Sequence, residues 1–212
     1  MIKTILRAVL VGSLIAGAAH ASTLIDSTGG PSGGFATPFG SPDTSTYGQT
    51  FVTGATDTVL DSFTMFLSGS AALNLRGYVG AWNGSTMTSL LYTSATVAGP
   101  TGTNSPVTFA PHLQLLANTP YVAFLSISQL AAQPAAAYAM NVVSDTINGG
   151  FVFSNNGTNF SQLTGGSWGN LAPADIWFRA SLSAPAAVPE PGSLALIGLA
   201  LLGGVAVRRR KT

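Results

Sequence analysis

The chain contains no cysteine, which removes disulfide frameworks, thiolate nucleophiles and thiolate metal sites from consideration. Charge is scarce as well: Asp, Glu, Lys and Arg make up 7% of the 212 residues. Between Ser22 and Ala187 there is neither lysine nor glutamate. Long exposed helices rely on those residues for their solvent face, so a helical architecture is disfavoured there. Histidine is limited to His20 and His112. No apolar run reaches the roughly 20 residues that an upright helix needs to cross a bilayer core.

The few cations sit at the ends. Lys3 and Arg7 open the chain, and Arg208, Arg209, Arg210 and Lys211 close it. Only Arg76 and Arg179 lie between, against six aspartates: Asp26, Asp43, Asp57, Asp61, Asp145 and Asp175. The formal charge of +1 therefore hides a middle part with two cations and six acids, net −4. Such a middle lacks the basic footprint of a nucleic-acid binder, and no nucleic-acid partner is expected.

Residues 1–21 read as a secretory signal peptide. Lys3 and Arg7 precede the apolar stretch Ala8 to Ala18, and Ala19-His20-Ala21 supplies a small-residue cleavage site. The expected mature start is Ser22, after passage through the Sec machinery and cleavage by signal peptidase. At the other end, residues 188–212 combine three parts: Val188-Pro189-Glu190-Pro191-Gly192, an uncharged apolar run from Ser193 to Val207, and the basic cluster Arg208 to Lys211. The prolines hold the backbone extended and accessible. The apolar run is expected to form a short helix that spans a thin bilayer when Arg208 snorkels. The basic cluster resists translocation and stops export.

These three parts in order resemble the PEP-CTERM sorting signal of Gram-negative bacteria. The resemblance covers residues 188–212. It implies an exosortase partner acting at or near Pro189-Glu190-Pro191, a transient membrane stage, and delivery to the cell surface or extracellular matrix, often with exopolysaccharide. The two termini, together with the lack of catalytic groups between them, lead us to expect a structural or adhesive role, as in a biofilm, and not an enzyme.

Residues 22–187 are expected to form one all-β domain, an antiparallel β-sandwich or jelly roll. In Asp175 to Leu182, Ile176, Phe178, Ala180 and Leu182 share one face, and Asp175, Trp177, Arg179 and Ser181 the other. Asp175 and Arg179 are then about 13 Å apart along the strand and are not a direct pair. Val59, Phe63, Met65 and Leu67 share a face in a second strand, and Tyr121, Ala123, Leu125 and Ile127 in a third. Further strands are expected near Thr23, Tyr47, Leu75, Ser89, Pro106, Ala137 and Gly149. Asn83-Gly84, Asn148-Gly149 and Asn156-Gly157 suit the tight reversals between them. Gly29 to Pro42 reads as a loop, and Leu130 to Ala139 as one helical turn broken by Pro134. The stretches from Tyr47 to Leu182 are similar to β-sandwich domains found ahead of such tails, which also resemble galactose-binding-like jelly rolls.

Little here supports catalysis. After processing, His112 is the sole histidine, and no G-x-S-x-G elbow accompanies it. No zinc ligand set clusters in the sequence. Catalytic residues: none are expected, and no cofactor. The jelly-roll resemblance makes a structural calcium conceivable, with Asp26, Asp43, Asp57 and Asp61 as its candidate ligands. The alternative function is carbohydrate binding by exposed tryptophans, with Trp82, Asn83, Trp168 and Trp177 as candidates. Sugars stack on aromatic faces, and amides fix their orientation.

Overall fold

A computed structural model describes residues 22–186, apart from 43, 70–72 and 132. Strand-rich composition and short period-two segments give fifteen strands in chain order. They are β1 (Thr23–Asp26), β2 (Ser32–Ser41), β3 (Thr46–Val52), β4 (Val59–Gly69), β5 (Asn74–Trp82), β6 (Met87–Thr93), β7 (Val97–Ala98) and β8 (Gly102–Phe109). There follow β9 (Leu113–Gln114), β10 (Pro120–Ser126), β11 (Ala136–Val143), β12 (Gly149–Ser154), β13 (Gly169–Asn170), β14 (Asp175–Ile176) and β15 (Phe178–Ser183). One 3₁₀ turn spans Phe160–Leu163.

The strands form two antiparallel sheets. The first runs β1-β15-β4-β11-β14, with β8 and β9 on the far side of β4 and β2 on β11. The second runs β13-β12-β3-β10-β5-β6, with β7 beside β5. Their inner faces enclose the main core, in which Phe51, Leu60, Phe63, Met65, Leu67, Leu75, Val79, Ala123, Leu125, Ile176 and Phe178 are fully buried. Phe51 stacks on Phe178 across the sheets at 5.9 Å. Gly77 permits another close crossing, because a Cβ there would lie 2.6 Å from the Phe109 ring.

A second core covers the outer face of the second sheet. Tyr78, Trp82, Met87, Val122, Phe124, Val152, Leu163 and Trp168 pack there beneath Phe160. The turn at Phe160–Leu163 is the lid of this layer, and Tyr78 stacks on Phe124 at 4.9 Å and 12°. Strand β10 is thus buried on both faces from Tyr121 to Ser126, where alternation predicts burial of one face alone.

Three other expectations change. Gly29 to Pro42 is not a loop: β2 pairs with β11 through Ala36, Phe39 and Gly40, with register shifts between Tyr138 and Met140 and between Val142 and Val143. Glycine and proline mask its strand character, and the shifts accommodate them. In β4, Leu60 replaces Val59 in the core, because the register with β15 slips between Ser181 and Leu182 and leaves Asp61 bulged. The described residues between Leu130 and Ala139 form no helix; Ala136 already belongs to β11. All ten stretches expected as strands contain one, but Asp175 to Leu182 is split at Trp177 into β14, which pairs with β11, and β15, which pairs with β4 and β1. Among the described residues no helix is long and apolar enough to cross a membrane, and the expected apolar helix of Ser193 to Val207 lies outside them.

Candidate functional site

On β15, Phe178, Ala180 and Leu182 point into the core, which turns Arg179 and Ser181 outward. Strands β8, β4, β15 and β1 lie side by side, and their registers align outward residues into rows. One row reads Thr108, Thr64, Arg179, Asp26. Thr64 Oγ1 and Thr108 Oγ1 share a hydrogen bond of 2.8 Å. Arg179 Nε donates to Asp26 Oδ2 at 2.8 Å, and its Nη2 donates to Thr28 Oγ1 at 3.0 Å. Asp26 Oδ1 accepts from the Thr28 backbone N–H at 2.8 Å and from Thr28 Oγ1 at 2.7 Å. Partial burial of Asp26 raises its pKa, but the Thr28 and Arg179 hydrogen bonds outweigh it and hold the carboxyl below its ordinary value.

The neighbouring row is apolar. Pro106 faces Phe66, and Phe66 meets Trp177 edge to face at 5.9 Å and 89°. The Arg179 guanidinium lies 5.5 Å from the centre of the Phe66 ring. Trp177 is half-buried, and its backbone N–H donates to the Asn141 carbonyl at 2.9 Å. The guanidinium is therefore fixed by an acid, a hydroxyl and a ring, and three of its five N–H groups stay free to meet a ligand. A fixed guanidinium, two hydroxyls and an indole on a rigid sheet can orient a polyhydroxylated molecule.

The other sequence candidates lie elsewhere. Trp82 and Trp168 are not exposed, at 8% and 7%. They meet edge to face at 5.6 Å, and Trp168 Nε1 donates to the Leu163 carbonyl at 3.0 Å. Both belong to the second core, whose existence a strand-by-strand reading does not reveal. Asn83 caps its own turn, with Oδ1 accepting from the backbone N–H groups of Ser85 at 3.0 Å and Thr86 at 2.9 Å.

Among the described residues, the calcium candidates Asp26, Asp57 and Asp61 do not converge. Asp26 holds Arg179, Asp57 accepts from the Thr23 hydroxyl, and Asp61 lies 3.8 Å from His112 Nδ1. Asp43 lies outside the described residues, and among those no three His, Cys, Asp or Glu gather as a metal set. Asp175 is the acid misplaced by periodicity: it is fully buried, not outward. Its Oδ1 accepts from Gln49 Nε2 at 2.6 Å, and its Oδ2 accepts from Thr146 N, Thr146 Oγ1 and Ile147 N at 2.8, 3.0 and 3.1 Å.

Val188, Pro189, Glu190, Pro191, Gly192 and Arg208, Arg209, Arg210 and Lys211 lie outside the described residues, but their sequence is decisive. Residues 187–211 match the PEP-CTERM protein-sorting motif. The chain carries an exosortase sorting tail. The PEP-CTERM tail marks a protein that is exported, processed by exosortase and delivered to the cell surface or beyond. No curated protein sequence matches the chain. Among solved structures, it is similar to the cysteine protease and lectin-like domains of Cwp84, a surface layer associated protein of Clostridium difficile. That likeness has a TM-score of 0.45 and 10% identity, and covers 68% of this chain and 32% of the other. The chain thus spans about a third of that structure's length.

Proposed function

We propose that this PEP-CTERM protein is a non-enzymatic component of the envelope or extracellular polysaccharide, with a structural or adhesive role in biofilm. The observation that carries the reading is the sorting motif at residues 187–211. In this account Sec exports the chain and signal peptidase frees Ser22. The apolar run Ser193 to Val207 then holds the precursor in the inner membrane, with Arg208 to Lys211 on the cytoplasmic side. Exosortase releases the β domain at the Pro189-Glu190-Pro191 box. No catalytic group, metal or other cofactor is invoked.

Replacing Pro189, Glu190 and Pro191 together by alanine tests the route. The expected result is an uncleaved precursor retained in the membrane fraction, seen by immunoblot. Unchanged processing and location would refute it.

A second reading is carbohydrate binding on the outer face of the first sheet. It is favoured by one observation: Phe66 on β4, Arg179 on β15, Asp26 on β1 and Trp177 just before β15 stand together there. Of the three tryptophans, only Trp177 is then a ligand-facing residue. Quenching or enhancement of tryptophan fluorescence during titration with exopolysaccharide checks this reading.

A further inference from the structure

We infer that the ligand of this face is an uncharged linear polysaccharide lying across the strands, from β8 to β1. The inference rests on the carbohydrate-binding reading above and adds the polymer's charge, form and direction.

Direction follows from the register. Across the strands, Thr108, Thr64, Arg179 and Asp26 present polar groups without interruption. Along a strand the chemistry changes at each outward position: Thr64 then Phe66 on β4, Ser181 then Arg179 on β15. A hydroxyl-bearing polymer meets an unbroken polar row only in the first direction. Four strands about 4.8 Å apart make a row of about 14 Å, which exceeds one sugar ring. The indole of Trp177 and the ring of Phe66 flank that row on one side. Axial C–H groups of a pyranose carry partial positive charge and are attracted to such π-faces.

Form follows from the open sheet face around Phe66, Trp177 and Arg179. A pocket near Leu24 and Asn148 reaches Asp26 at the end of the row, whereas Phe66, Trp177 and Arg179 line neither it nor the pockets near Phe35, near Asp145 and near Ser41. A flat surface contacts one side of a chain and does not surround a free sugar.

Charge follows from the ion pair. Arg179 is neutralised by Asp26 at 2.8 Å. The stretch from Ser22 to Ala187 carries two cations against six acids. An acidic polymer would meet an already paired guanidinium within a net negative domain. Hydroxyls need directed donors and acceptors instead, and the free guanidinium N–H groups and the threonine hydroxyls supply them.

The test is calorimetric titration of the full chain in detergent with cello-, xylo-, malto- and manno-oligosaccharides, from disaccharide to hexasaccharide, beside oligogalacturonate as the acidic control. The inference predicts that at least one neutral series binds and tightens about tenfold or more between disaccharide and tetrasaccharide. Oligogalacturonate should bind at least tenfold more weakly. Trp177→Ala and Arg179→Met should each weaken the tetrasaccharide about tenfold, with Thr108→Val as a milder variant at the end of the row. Melting temperatures verify that each variant is folded. If no series binds, neutral or acidic, or if binding ignores these variants, the carbohydrate-binding reading itself falls; if oligogalacturonate alone binds through Trp177, only the present inference fails. If binding depends on Trp177 but is flat with length, or equally tight for oligogalacturonate, that reading survives and the present inference fails.

Discussion

Asp175→Asn is expected to destabilise the β domain by about 2–3 kcal/mol, a fall in melting temperature of roughly 5–10 °C for a domain of this size. Asp175 is fully buried, yet among the described residues no cation lies within ion-pair distance. Four neutral donors hold its carboxylate instead. An asparagine oxygen can replace Oδ2 and keep Thr146 and Ile147. Its amide then points a donor at Gln49 Nε2, which is also a donor. Gln49 cannot turn to compensate without loss, because its Oε1 accepts from Ile176 N at 2.9 Å and its Nε2 also donates to the Thr50 carbonyl at 3.2 Å. Asp175→Ala should cost more, since every one of the four donors is left without its acceptor. Thermal unfolding followed by circular dichroism measures both. An unchanged melting temperature for Asp175→Ala would show that the carboxylate does not tie the segment around Thr146 to β14.

Trp168→Ala and Trp177→Ala should part ways. Trp168 is 7% exposed, packs edge to face on both Trp82 and Phe124, and donates its indole N–H to Leu163. Truncating it empties the middle of the second core, at about 3–5 kcal/mol. Trp177 is half-buried and touches Phe66 from outside the main core. Its truncation should cost about 1 kcal/mol or less, comparable to the worth of an aromatic pair. Denaturant titration of the two variants gives the comparison directly. Equal losses would mean either that the second core contributes little or that Trp177 is a packing residue, and the latter would weaken its assignment to a ligand-facing surface.

The difference between these tryptophans shows where sequence reasoning reaches its limit. Alternation in Ile176, Phe178, Ala180 and Leu182 is legible because those side chains face one core, and the structure buries all four. Alternation fails in β10 because Val122 and Phe124 face a second core made by residues some 40 positions later in the chain. Nothing local announces that Leu163 and Trp168 return to cover them. The β4 register shows another limit: one bulged residue, Asp61, exchanges Val59 for Leu60, and a strict period of two cannot contain it. β2 is hidden by its own glycines and Pro38, because its strand form depends on pairing with β11. Of the candidate site, Trp177 and Arg179 are visible as outward residues of one strand. Their association with Asp26 and Phe66 is not, since it depends on strands far apart in sequence. The sorting tail is the opposite case. Its information is carried by local order of prolines, apolar residues and cations, so it is legible without any fold.

The central claim is that both termini are addresses, removed in turn, and that the β domain between them works outside the cell. The intact mass of the protein recovered from the native cell surface tests it most directly. The account predicts a chain that starts at Ser22 and ends at or near the Pro189-Glu190-Pro191 box, with any added mass attached at that new end. A soluble, folded chain in the cytoplasm that still carries residues 1–21 and 188–212 would contradict it.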